Sequence, residues 1–108
     1  MPSTNNLQGT IDLLILKTLE QGPNHGFGIT VHIQSVSDRM LQVEEGSLYP
    51  ALHRLDRAGL LKAEWKTSEN GRRARYYTLT PKGRTALEET TASWDTLRRG
   101  VTKVLRFA

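Results

Sequence analysis

Six apolar residues, Ile11, Leu13, Leu14, Ile15, Leu16 and Leu19, crowd one short stretch near the start of the chain. At the ~100° per residue of an α-helix they spread around much of its circumference. A helix that is apolar on more than one side is buried on more than one side. In a chain of 108 residues, one of those sides is expected to meet a second subunit. The pattern predicts a helix from Thr10, its capping residue, to Gln21, with Asp12 in the first turn and Gly22-Pro23 as the stop. Residues 1–8 are polar and are expected to fray. A second helix is predicted from His25 to Ser37, where Ile29, Ile33 and Val36 form one stripe. From Asp38 to Glu45 the helical period fades, and Val43 is a candidate for a short strand pair.

The third helix is the clearest. Leu48, Ala51, Leu52 and Leu55 share one face, within about 60° of Leu48, and Pro50, His53, Arg54 and Arg57 lie on the other. Ser47 as N-cap puts Pro50 in the first turn, where a missing N–H is harmless, and Gly59 supplies the left-handed residue after the helix. A hairpin follows. Its strands, Leu61–Ser68 and Arg72–Thr80, alternate apolar and polar positions around Glu69-Asn70-Gly71, and Asn-Gly is a strong turn signal. Trp65 on the first strand is expected in the core. Thr80-Pro81, a capping hydroxyl before proline, opens a long helix to Leu105. Along it Leu87, Trp94 and Val101 recur at a heptad spacing, as do Thr90, Leu97 and Val104, which makes a coiled-coil-like seam with one polar position.

Charge changes the picture. Residues 1–50 carry two basic and five acidic side chains, a balance of −3, whereas the rest carry thirteen and six, a balance of +7. A sequence pI near 9.8 with the cations gathered in one half is the footprint of a polyanion partner. There is no cysteine, which excludes disulfides, cysteine-ligated zinc and thiol catalysis and fits a reducing, cytoplasmic setting. No apolar run is long enough to span a membrane, and the first residues do not have the form of a signal peptide.

Three short helices, a basic hairpin and a long last helix are the parts of a winged helix-turn-helix followed by a dimerisation helix. The fold class is therefore mainly α with a two-stranded β-wing. The expected divisions are a DNA-binding unit over residues 9–80 and a dimerisation helix over 81–105. In such a fold the third helix holds the core with one face and enters a DNA major groove with the other, while the hairpin reaches the backbone or the minor groove. The segments His25-Gly26-Phe27-Gly28-Ile29, Gly46-Ser47-Leu48-Tyr49-Pro50-Ala51-Leu52, Arg54-Leu55, Gly59-Leu60-Leu61 and Gly71-Arg72-Arg73-Ala74-Arg75-Tyr76-Tyr77-Thr78-Leu79-Thr80 resemble the PadR family of bacterial transcriptional regulators, over about Gly9 to Val104. The single last helix resembles the family's small subfamily. The resemblance implies a homodimer built through the last helix and helix one, and a repressor that a small molecule or other signal relieves in some members. Candidate dimer contacts are Leu13, Leu16, Leu87, Trp94, Leu97, Val101 and Val104. Trp94 is also the candidate platform for a planar aromatic effector. One departure stands out. Family members often carry tyrosine where this chain has Phe27; the ring can still pack, but a hydroxyl for a phosphate is lost.

On the DNA side the candidates are Ser47, Tyr49, Pro50, His53, Arg54 and Arg57 of the third helix and Arg72, Arg73 and Arg75 of the wing. The expected partner is double-stranded DNA with a palindromic operator, because a two-fold protein would read a two-fold site. His25, His32 and His53 have no ligand-pair spacing, so neither a metal nor another cofactor is expected. No catalytic motif is present, which argues against an enzyme. A winged-helix module that binds protein, or a small-molecule-binding dimer without specific DNA binding, remains the alternative.

Overall fold

The molecule is assembled around the apolar positions of the first helix. The computed structural model describes residues 3–67 and 69–107, with side chains from Thr10 onward. In chain order the elements are α1 (Ser3–Glu20), β1 (Asn24–His25), α2 (Gly26–Val36), α3 (Glu45–Arg57), β2 (Leu61–Thr67), β3 (Arg73–Leu79) and α4 (Pro81–Leu105). Ile15, Leu16 and Leu19 of α1 are buried against Ile29 and Ile33 of α2, Leu48, Leu52 and Leu55 of α3, Leu61 and Leu79 of the hairpin, and Leu87 of α4. Each helix thus contributes one stripe to a single core.

Two helix starts differ from the sequence reading. α1 begins at Ser3, so Thr10 lies inside it and is not its N-cap. A packed helix extends into neighbouring polar residues at one hydrogen bond per residue, with no new nucleation cost. Expected fraying therefore gives way to helix from Ser3; Met1 and Pro2 lie outside the described residues. The N-cap of α3 is Glu44, not Ser47, with extended backbone and no side-chain cap bond. Its carbonyl accepts from the N–H groups of Ser47 and Leu48, at 3.0 and 2.9 Å. Pro50 consequently lies inside the helix rather than in its first turn, and it offers the Gly46 carbonyl no N–H to accept from.

Other ends follow the sequence. His25 caps α2 by accepting the Gly28 N–H at its Nδ1. Gly59 has φ +80, and Leu60 N–H donates to Leu55 while Gly59 N–H donates to Asp56, which together close α3 in a Schellman motif. Thr80 caps α4 by accepting from Gly83 N–H, with Pro81 behind it.

The sheet has three antiparallel strands in the order β1-β3-β2. β2 and β3 run in register from Leu61 opposite Leu79 to Thr67 opposite Arg73, and Gly71 takes φ +82 in the loop between them. Ser68, expected at the end of the first strand, lies outside the described residues; Arg72, expected to open the return strand, is in the loop. The small third strand comes from Asn24-His25, opposite Tyr77 and Tyr76, and not from Val43, which packs half-buried against the core. The cap residue His25 is already extended, and it lies along the edge of β3 that β2 leaves open.

Past the core the hairpin is an arm. Leu61, Tyr77 and Leu79 are buried, but Trp65, farther out on the face of Leu61, is 57% exposed, contrary to its expected place in the core. Phe27 also fails to pack, at 65% exposed. On α4 nothing beyond Leu87 is buried, so the rest of the helix projects, and the molecule measures 57 × 29 × 23 Å. Among the described residues no helix is long and apolar enough to cross a membrane.

Candidate nucleic-acid interface

The inward face of α3 is fixed by Leu48, Ala51, Leu52 and Leu55. Turning ~100° per residue, Gly46, Pro50, His53 and Arg57 then line the side directed away from the core. All four are exposed. Side chains on the two flanks tie α3 to its neighbours. On one flank the Arg54 guanidinium donates to the Asp12 carboxylate of α1. On the other, the Tyr49 ring lies across the start of α2 at Gly26, where a Cβ would come within 2.5 Å of the phenolic oxygen. Asp56, farther along, is 3.9 Å from Arg75 of β3. Glycine at position 26 thus leaves room for the tyrosine.

These ties redistribute the sequence candidates. Pro50, His53 and Arg57 come together on the open stripe. Tyr49 sits at its margin, half on Gly26 and half in solvent. Arg54, expected on the DNA face, is turned to α1 and serves to hold the helix. Ser47 is exposed in the first turn but follows the carboxylates of Glu44 and Glu45. Those charges suit a helix N-terminus and oppose a phosphate there. Arg72 and Arg73 extend from the wing tip; among the described residues Arg72 makes no ion pair or ring contact. The sequence reading missed the Asp12–Arg54 pair, for which the linear chain holds no signal. It also missed the contact of Trp65 with the wing arginines, for which the turn position, once it sets the register, was the available signal.

Burial holds the Asp12 carboxyl above the usual carboxylate range, against the lowering effect of the Arg54 guanidinium. A carboxyl raised in the folded state favours folding in acid, and that advantage is lost as pH rises from the unfolded value through the folded one. Removing the guanidinium deepens this loss. Arg54→Gln is therefore expected to cost about 1–2 kcal/mol at neutral pH and to converge on the wild type in acid, where Asp12 is protonated in both. The cost stays below that of a fully buried pair because the Asp12 and Arg54 side chains are 23% and 39% exposed. Asp12→Asn leaves an arginine that can reach water, and is expected to cost less. Denaturant unfolding across a pH series measures both; equal losses, or a gap indifferent to pH, contradict this account.

Elsewhere, burial raises the Tyr77 phenol, and the Asp95 carboxyl on the outer part of α4 is lowered by a hydrogen bond from Arg98 at 2.5 Å, with Arg99 near. On the same outer part of α4, Trp94, Leu97, Val101 and Val104 are exposed. Leu97, Gly100, Val101 and Val104 line a shallow groove of ≈ 500 Å³. Of the other candidate dimer contacts, Leu16 (1% exposed) and Leu87 are used up inside the protomer core, and Leu13 packs part-buried beside it.

A family model of the transcriptional regulator PadR-like family matches residues 15–89, from the middle of α1 to α4. The transcriptional regulator Rv3488 of Mycobacterium tuberculosis is 37% identical over 94 residues, covering 87% of this chain and 84% of its own length. Among solved structures, a transcriptional regulator from Clostridium thermocellum superposes with a TM-score of 0.82 at 27% identity, over 92% of this chain and 96% of that one. A PadR family transcriptional regulator from Eggerthella lenta superposes with a TM-score of 0.75 at 32% identity, over 98% and 91%. The match runs through the wing, the open helix face and the start of the long helix alike, and the chain belongs to the PadR-like family of transcriptional regulators.

Proposed function

We propose that the protein is a homodimeric repressor, working in the bacterial cytoplasm, that binds a palindromic operator. The observation that carries this reading is the face of α3. Its two flanks are tied to α1, α2 and β3, while Gly46, Pro50, His53 and Arg57 are left open beside a wing bearing Arg72 and Arg73. A helix held this way presents a fixed edge to a major groove, and Gly46, which has no side chain, permits close approach near its start. His53 and Arg57 contact base edges or adjacent phosphates; the wing arginines grip the backbone and supply the salt-sensitive part of the affinity.

The second copy is supported by α4. Trp94, Leu97, Val101 and Val104 keep the heptad spacing of a helix pair and are all exposed among the described residues, Val104 at 75%. Pairing through this seam sets two copies of α3 on one side of the dimer, with operator half-sites about one helical turn, ~34 Å, apart. A planar aromatic effector bound between the two Trp94 rings relieves repression by altering that spacing.

Selection of bound duplexes from a random pool tests the reading. An inverted repeat is expected, released from the protein by flat aromatic compounds. Recovery of unrelated sequences, with the chain sedimenting as a single copy, contradicts it. Retention of the repeat in the presence of every aromatic compound removes only the effector.

A further inference from the structure

Trp65 is a large apolar side chain in a position that buries little of it. It stands directly opposite Arg75 and diagonal to Arg73 on the partner strand. The guanidinium carbon of Arg73 lies 5.3 Å from the indole ring centre, and that of Arg75 5.9 Å. Both distances are within the reach of a cation–π contact. Arg75 is held a second time, by Asp56 of α3. The four side chains form a relay from the recognition helix to the wing: Asp56, Arg75, Trp65, Arg73. Arg73 is the outermost member, and among the described residues the indole is its only ring or ion contact.

We propose that Trp65 is a positioning residue for DNA binding. Its indole, anchored to α3 through Arg75, holds the Arg73 guanidinium at a set distance from the recognition helix, ready for a backbone phosphate. The physical basis is entropy. A free arginine on a hairpin tip must be immobilised when it meets a phosphate, and an arginine already lying on a ring loses less freedom. A guanidinium stacked by its flat face keeps its N–H edge available, so the same group can rest on the indole and donate to an anion. Exposure of Trp65, set by the hairpin running past the core, suits this role, since a buried indole would draw Arg73 away from solvent and from DNA. The inference rests on the DNA-binding reading above and adds a residue to it.

A double-mutant cycle tests it. Duplex affinity is measured across a salt titration, with random-sequence DNA, for the wild type, Trp65→Leu, Trp65→Tyr, Arg73→Ala and the Leu/Ala double variant. Trp65→Leu keeps an apolar side chain and removes the π face, and is expected to weaken binding roughly three- to tenfold. Trp65→Tyr is expected to recover most of the loss. In the Arg73→Ala background, Trp65→Leu is expected to change affinity by less than about twofold, because nothing is left to position. If Trp65 only stiffens the hairpin, Trp65→Leu weakens binding equally in both backgrounds, and that result overturns the inference while the DNA-binding reading stands. Wild-type affinity for Trp65→Leu overturns it too. A wild-type protein that ignores DNA at low salt overturns both.

Discussion

Replacing Arg72 and Arg73 together by alanine is expected to lower affinity for every duplex, on the order of 10- to 100-fold at moderate salt. The two cations extend from the loop and strand start at the wing tip, where neither is neutralised by a carboxylate of the chain among the described residues. Arg75 is the wrong target for this test, since Asp56 already occupies it. The effect is expected to be electrostatic and indifferent to sequence. Each lost phosphate contact lowers the slope of log affinity against log salt by about 0.9, so a dimer losing two per copy changes by up to about 4. Preference among sequences is expected to survive, because the α3 stripe is untouched. A salt titration against operator and random DNA measures both quantities. An unchanged slope with lost sequence preference places the wing among the base readers instead.

Gly83→Ala is expected to be the most damaging single substitution for the fold. Gly83 is buried in the first turn of α4, and a Cβ there would overlap the backbone carbonyl oxygen of Leu60. A backbone atom cannot rotate aside as a side chain does, so the helix itself has to move. That carbonyl also accepts from the Thr80 N–H at 3.1 Å and from its hydroxyl at 3.0 Å, and moving the helix strains both bonds. The cost is expected at about 2–3 kcal/mol or more, which in a domain of this size lowers the melting temperature by roughly 10–20 °C. Gly46→Ala is the contrasting case. It meets open space inside α3, and alanine there is expected to raise stability by about 0.5–1 kcal/mol. Thermal melts of the two variants should move in opposite directions; a tolerated Gly83→Ala contradicts the packing of α4 on the loop after α3.

The elements the sequence made legible are those whose ends carry their own chemistry. Gly59 needs a left-handed conformation, Thr80-Pro81 is a cap and a first helical residue, and Asn70-Gly71 turns a hairpin; each is a local requirement written in one or two residues. α1 and α3 begin elsewhere than expected because Thr10 and Ser47 are good caps that compete with helix propagation from a packed core, and propagation wins. β1 was illegible for a different reason. Two residues have no period, and Asn24-His25 become a strand only because β3 has a free edge beside them. The candidate site divides along the same line. The outward direction of Pro50, His53 and Arg57 follows from helical geometry once the core face is known. The inward turn of Arg54 depends on Asp12, which is distant in sequence. Trp65 looked like a core residue because alternation reports which face a strand residue takes and not how far the core extends beneath it.

The junction between α3 and α4 acts as a weld. Lys82 donates to the Ala58 carbonyl at 2.9 Å, and Thr80 bonds to Gly59 and Leu60, so the last turn of one helix and the first turn of the next are fastened together. The free part of α4, residues 90–105, reaches roughly 24 Å beyond, at ~1.5 Å per residue. It is therefore a crank. A tilt of about 10° imposed at its far end displaces that end by ~4 Å at this length, and the bonds of Lys82 and Thr80 would pass part of that tilt to the C-terminal end of α3, while α1, packed along α4, resists it. If α3 meets DNA as proposed, gearing of this kind would let a contact made far from the duplex misalign the protein on its groove without touching any residue that meets DNA.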